Sequence, residues 1–426
     1  MLLVWIGFIV EVMFFNVLKS FIHDTEVVAI YLISINILIL LIAIGKYKKG
    51  LREIIFSAYS LRIAAMFWDV YGRNIYPLPH SGNDSEGFLY TATLVANDLS
   101  LIKGDIYGDI YTKILGVLFY LTSTERLIGQ YLNVLLGIST IVIIYRILSL
   151  LEINEKTTML SIILISFFPH GIIFSAILLR ENFITMFVSV SLYYFIKWCR
   201  QGKFIFSILS FLNLAAASLF HSGVIGIAVG YIFIYMFYDR KTDKLSFKLK
   251  TVLVFIAIIL SGVLVFTQLS DVFLGKFDNI DSLNDVVSAT EGRAGGSSYL
   301  VGFKANSSWQ LIYVAPVMMF YFLVSPLPMN WRGINDIISF FADSIIYFIL
   351  LVYSIRNGRK YIGKSPILIG ILIMILVVVF IFGIGVQNAG TALRHRHKIF
   401  NIIVVFFALI HDLTEKENMN QIYRNL

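Results

Sequence analysis

Residues 27–45 read VVAIYLISINILILLIAIG and carry no charged side chain, and neither do residues 366–386, PILIGILIMILVVVFIFGIGV. An α-helix rises about 1.5 Å per residue and a bilayer's hydrocarbon core is about 30 Å thick, so some 20 apolar residues suffice to cross it. Residues 251–266 with their flanks form another such block. In lipid every backbone N–H and C=O must be satisfied within the protein, which leaves helices and closed barrels. A barrel would alternate polar and apolar residues in short segments, and this chain does not. Of its 426 residues 58% are hydrophobic and 14% charged, and mean hydropathy is +0.83. Soluble domains carry about a quarter charged residues. The expectation is an all-α, polytopic transmembrane helical bundle.

Basic loops orient such a bundle, because Lys and Arg concentrate on the cytoplasmic side. The most basic loops are residues 45–53, 197–203, 239–250 and 356–364. Placing them inside gives about twelve spans with both termini inside. Residues 69–112 and 271–307 then form the two larger outer loops. The spans read as one transmembrane domain, residues 1–411, followed by a short polar cytoplasmic tail, 412–426. The N-terminus lacks a basic start and a cleavage site and reads as the first span. Two apolar stretches break the parity, 108–122 and 309–325, and are expected to be re-entrant or half-length. Pro316, Pro326 and Pro328 favour a broken helix in the second. The net charge of +8 is a matter of topology, with no nucleic-acid-binding pattern. Cys199 stands alone and builds neither a disulfide nor a metal cluster.

This topology leaves basic residues on the disfavoured outer side. They are Arg180 in LLREN, His221 in LFHSG, Arg293 in EGRAGGSSYL, Arg332 in NWRG, and Arg394, His395 and Arg396 in NAGTALRHRH. Ionisable groups at membrane depth are costly and point to function. Guanidinium groups match phosphate oxygens bidentately, so a phosphate or pyrophosphate is the expected ligand, and the glycines beside Arg293 allow close backbone approach. Each residue also has a plainer reading. Arg180 and Glu181 can snorkel as a helix-end pair, His221 can satisfy a turn, and Arg332 beside Trp331 can anchor at the interface. Arg293 can be a solvated loop residue, and the RHRH cluster can contact lipid headgroups. In the first outer loop, Asp84 and Glu86 precede an amphipathic helix on which Phe88, Ala92, Val95 and Leu99 recur. A carboxylate there suits a general base toward a sugar hydroxyl, and Asp84 or Ser85 equally suits an N-cap.

The segments SAILLRENFI, EGRAGGSSYL, YFLVSPLP and NAGTALRHRHKIF resemble motifs of bacterial O-antigen and oligosaccharide repeat-unit polymerases. GNDSEGFLYTATLVA resembles the acidic opening of the first outer loop in GT-C type glycosyltransferases. The matched segments lie between about residues 80 and 400. Two departures stand out. Met329 and Asn330 separate the PxP segment from Trp331, and Ser85 separates Asp84 from Glu86. The outer acids form no tight ligand cluster, so neither metal nor cofactor is expected. The resemblance implies a multi-pass enzyme of the bacterial cytoplasmic (inner) membrane. It would polymerise undecaprenyl-pyrophosphate-linked repeat units on the periplasmic face for a cell-surface polysaccharide. Its implied partners are lipid-linked oligosaccharides, membrane lipids, a chain-length regulator and a flippase, with no nucleic acid. Arg180, His221, Arg293, Arg332, Arg394 and Arg396 would hold the pyrophosphate, with Asp84, Glu86 or His395 as the base. The rival readings are a GT-C transferase using a polyprenyl-phosphate sugar, and a lipid-linked oligosaccharide flippase or transporter.

Overall fold

The computed structural model describes residues 1–268, 297–300, 303 and 309–425. The regular structure of the described residues is helical apart from an antiparallel hairpin of two-residue strands, Tyr238–Asp239 with Lys244–Leu245, and one isolated bridge. It packs as two compact units. The first comprises residues 1–145 and 162–186, the second 146–161 and 187–426.

In the first unit α1 (Leu2–Phe21) and α2 (Thr25–Ile44) form a hairpin. Asp24 caps α2 by accepting from the N–H groups of Glu26 and Val27. α3 (Lys49–Phe67) ends in a π-helical turn, Trp68–Gly72. α4 (Asn83–Asn97) and α5 (Asp109–Leu121) follow, then α6 (Arg126–Leu150). The apolar window of α6 is 94% buried, so protein rather than lipid surrounds it. Several of its buried polar residues have partners on other helices. Tyr131 Oη donates to Asn36 on α2 at 2.7 Å and meets Tyr59 Oη on α3 at 2.9 Å, while Asn36 donates to Glu11 on α1 at 3.2 Å.

α7 (Glu155–Phe167) and α8 (Pro169–Ala176) meet at a 47° bend. Pro169 has no N–H to continue the helical ladder, so the apolar run of residues 157–176 is broken there. The last carbonyls of α7 lose their helical partners. Arg62, buried on α3, supplies one, its Nη1 donating to Ser166 O at 2.9 Å. Its Nε reaches Ser175 Oγ on α8 at 3.3 Å, so one guanidinium holds both sides of the break.

α9 (Glu181–Gln201), which enters the second unit at Phe187, leads there to α10 (Phe204–Phe220). A 3-10 turn, Ser222–Gly226, separates α10 from α11 (Ile227–Phe237), which places a break at FHSG. α12 (Leu249–Gln268), α13 (Leu311–Val324), α14 (Ile334–Ile362, with a π turn at Phe340–Ser344), α15 (Pro366–Gly385) and α16 (Ala389–Asn425) complete the chain. α11 lies against α15 at Gly230. A Cβ there would fall 2.4 Å from Met374 Cγ and 2.7 Å from Gly370 O, so the two backbones approach more closely than a side chain permits.

Among the described residues six helices are long and apolar enough to cross a membrane, or seven if α7 and α8 make one span. Several of the remaining expected spans fall on helices that are shorter or more polar, although α12 is an apolar helix of 20 residues. α10 has 17 residues and α11 has 11, and α3 carries Arg52, Glu53 and Arg62, while α13, on the expected half-length stretch 309–325, has 14. α5, on the expected half-length stretch 108–122, has 13 residues, about 20 Å of helix. Residues 412–425, set apart as a tail by their polarity, continue α16 without a break. Polar contacts tether them: Asp412 accepts from Asn154 N–H at 2.9 Å, and Glu417 accepts from Lys360 at 2.5 Å.

Candidate functional site

In the second unit the motif segments are stitched to one another around the start of α16. Asn388 precedes the helix, and its Oδ1 accepts from Thr391 N–H at 3.1 Å, an N-cap geometry, and from Ser297 Oγ at 3.0 Å. Ser298 and Asn388 form an antiparallel bridge, flanked by Tyr299 N–H to Gln387 O and Ala389 N–H to Ser297 O. Tyr299 Oη donates to Val386 O at 2.7 Å. The exposed Arg332 then reaches Ser298 O with Nη2 at 2.7 Å. The end of EGRAGGSSYL, the start of NAGTALRHRH and the arginine of NWRG therefore share one place. Arg293 lies outside the described residues.

Three basic residues occupy the next turns of α16, about 9–12 Å along its axis from Asn388. Arg394 is partly exposed. His395 turns to His221 at the α10 break, with ring centroids 4.6 Å apart, and stacks on Phe382 of α15 at 4.9 Å and 18°. Lys398 lies over the same Phe382 ring at 5.6 Å. Arg396 is fully buried. Its Nη1 donates to the carbonyls of Phe322, Leu323 and Ser325, the nearest at 2.6 Å, and its Nη2 to Ser344 Oγ at 2.9 Å. It is ion-paired with Asp343 and lies 5.0 Å from the centre of the Tyr347 ring. The three carbonyls end α13 just before Pro326, where no N–H follows to satisfy them. Arg396 thus caps a helix C-terminus with a positive charge and has its own counter-ion. This geometry makes it a clamp on LVSPLP, leaving Arg394 and Arg332 as the arginines with exposed surface among the described residues around the start of α16.

The remaining candidates, Asp84, Glu86 and Arg180, belong to the first unit. The N-cap of α4 is Gly82, without a side-chain cap bond, so the expectation of Asp84 or Ser85 as cap is not met. Both acids lie in the helix's first turn, where its dipole favours negative charge. Asp84 accepts from Tyr107 Oη at 2.9 Å. Glu86 accepts from Arg126 Nη2 with both oxygens, at 2.8 and 2.6 Å, and from Arg73 Nη1. Beneath it lies buried Asp69, which contacts Arg73 at 3.3 Å and Arg126 at 3.7 Å, and which accepts from Ser81 and from Gln130 at 2.6 Å. Burial alone would raise the Glu86 pKa, but hydrogen bonds and charge from Arg126 and Arg73 outweigh it and hold the carboxyl below its ordinary value. Burial likewise opposes charge on Arg73, and Glu86 and Asp69 more than compensate, raising its pKa.

Arg180 precedes α9, its carbonyl accepting from Phe183 and Ile184 N–H. Its Nε is buried and has no hydrogen-bond acceptor among the described residues. The loop carrying it is fastened to α6, where Asn133 Nδ2 donates to the carbonyls of Ile177 and Leu179 at 2.7 and 3.0 Å. Asp69, Arg73, Arg126 and Asp343 escaped the sequence reading. Asp69 and Arg73 did carry a signal, an acid–base pair four residues apart where an apolar run ends. So did Asp343, a lone acid between the apolar runs IISFF and IIYFILL.

Among the described residues no group of three or more His, Cys, Asp or Glu side chains is placed to hold a metal ion. No family model matches the chain, and no curated protein or solved structure matches it either.

Proposed function

We propose that the chain is a multi-pass membrane glycosyltransferase of the bacterial cytoplasmic membrane. It polymerises polyprenyl-pyrophosphate-linked oligosaccharide units on the outer face. The supporting observation is the gathering of the 297–299 segment, Arg332, His221 and the first turns of α16 in one unit. Those are the segments whose cations the sequence assigns to the outer side.

In the proposed reaction a hydroxyl of one lipid-linked unit attacks the anomeric carbon of the other. The bond from that carbon to the pyrophosphate oxygen breaks, and the polyprenyl pyrophosphate leaves with the electron pair. Arg394 and Arg332 neutralise the charge developing on it, the kind of preorganised electrostatic aid that dominates many enzymes. Arg396 is a positioning residue, fixing α16 to the end of α13. The hydroxyl proton needs an acceptor. A carboxylate gripped by two guanidiniums is a weak base, so His395 is favoured over Glu86.

The test is the glycan profile of cells carrying the gene deletion complemented by Arg394→Ala. The expected result is retention of single repeat units, loss of longer chains, and unchanged protein in the membrane. Wild-type chain lengths would remove Arg394 from the reaction. Loss of every repeat on deletion would favour the transferase or the flippase over a polymerase.

A further inference from the structure

Two arginines in the first unit form an anion site that no motif pointed to. Arg73, at the end of the π turn after α3, and Arg126, at the start of α6, converge on the single carboxylate of Glu86. Arg126 takes both oxygens and Arg73 takes Oε1. Two guanidiniums forked around one two-oxygen anion is the geometry by which proteins hold phosphates.

The two carboxylates of the cluster differ in kind. The Asp69 side chain is 0% exposed and is held from below by Ser81 and Gln130. It orients both arginines and has nowhere to go. The Glu86 side chain is 46% exposed, on the first turn of α4. Exposed ion pairs contribute little net stability, so Glu86 can be exchanged for a more highly charged anion. The arginines are also under-used. Arg73 Nε is buried with no hydrogen-bond partner among the described residues, and Arg126 Nη1, also without a hydrogen bond, has only the ion pair with Asp69 at 3.7 Å. With Glu86 withdrawn, two guanidiniums would face a single fixed carboxylate, a net positive site with unspent donors.

We infer that Arg73 and Arg126 form a diphosphate-binding site, and that Glu86 is its built-in plug, occupying the site until substrate displaces it. Polymerisation consumes two lipid-linked diphosphates, a donor and an acceptor, so a diphosphate site in each unit fits that chemistry. The choice of diphosphate rests on the proposed function; the plugged anion site rests on geometry alone.

Binding of farnesyl diphosphate and of inorganic pyrophosphate to the detergent-purified full chain tests this by calorimetry. Glu86→Gln is expected to tighten binding about tenfold or more, and Glu86→Asp, which retracts the carboxylate by one methylene, by less. Adding Arg126→Gln or Arg73→Gln to Glu86→Gln is expected to abolish the gain. A thermal melt of each variant reports folding separately. Tighter binding of farnesyl diphosphate than of pyrophosphate assigns the site to a lipid-borne diphosphate, and equal binding to the anion alone. Unchanged or weaker binding in both Glu86 variants overturns the proposal, as does a gain that survives loss of either arginine. If binding behaves as expected while deletion leaves chain lengths normal, the polymerase reading fails and the anion site stands.

Discussion

At the scale of single residues, the buried charges of the α16 cluster are held by defined partners. Arg396 and Asp343 are both fully buried and paired. Removing one partner of such a pair strands the other charge, at a cost of about 3–5 kcal/mol. Asp343→Asn is therefore expected to lower the thermal midpoint sharply, and adding Arg396→Met not to restore it, because the carbonyls of Phe322, Leu323 and Ser325 then lose their donor. Equal midpoints for wild type and Asp343→Asn would show that the pair is not the clamp described. Glu86 makes a pH-dependent prediction. Its pKa is lowered from an ordinary 4.5, so its stabilising contribution is present above that value and disappears as the pH falls through the folded-state pKa. The stability difference between wild type and Glu86→Gln should be constant near neutrality and shrink below pH 4.5. A difference that grows on acidification would contradict this sign. Arg394 and His395 stood out in the sequence by their position at the start of an apolar run, and His395 does meet His221 in the fold. The roles of Arg73 and Arg126 were not, because partners 13 and 40 residues from Glu86 meet only once the helices pack.

At the scale of elements, helix existence was plain in the sequence and helix continuity was not. The long uncharged runs specify α2 and α15 almost unaided. The break at FHSG was also readable, because residues 204–238 exceed one span. The bend at Pro169 was missed because the apolar pattern runs straight through it, and the polarity change at 412 suggested a boundary that α16 ignores. Apolarity marks burial, whereas continuity depends on backbone N–H groups and on tethers such as Asp412 to Asn154. The close crossing of α11 and α15 gives a sharp contrast. At Gly230 a new Cβ meets Met374 and the Gly370 carbonyl, whereas at Gly50 on α3 it meets nothing within 4 Å. Gly230→Val should therefore abolish the monodisperse peak in fluorescence-detected size exclusion. Gly50→Ala should preserve it and add up to about 1 kcal/mol of helix propensity. Similar chromatograms for the two variants would mean that α11 and α15 do not pack as described.

At the scale of the whole molecule, the polymerase reading rests on sidedness, because charge placement is what distinguishes an outer catalytic cluster from ordinary topology. Lys and Arg mark the cytoplasmic side only statistically, and the exception at RHRH carries meaning only if it faces outward. The chain offers a clean way to measure this. Its lone cysteine, Cys199, is buried, so Cys199→Ser leaves a background without thiols. Thr391, on the first turn of α16, and Lys203, in the basic loop between α9 and α10, are both exposed. In that background Thr391→Cys should react with a membrane-impermeant maleimide added to spheroplasts. Lys203→Cys should react only after the membrane is permeabilised. Labelling in the opposite sense would put Arg394 and His395 in the cytosol. No lipid-linked chain growing on the outer face could then reach them, and the cluster would revert to the role that positive charge usually has in a membrane protein.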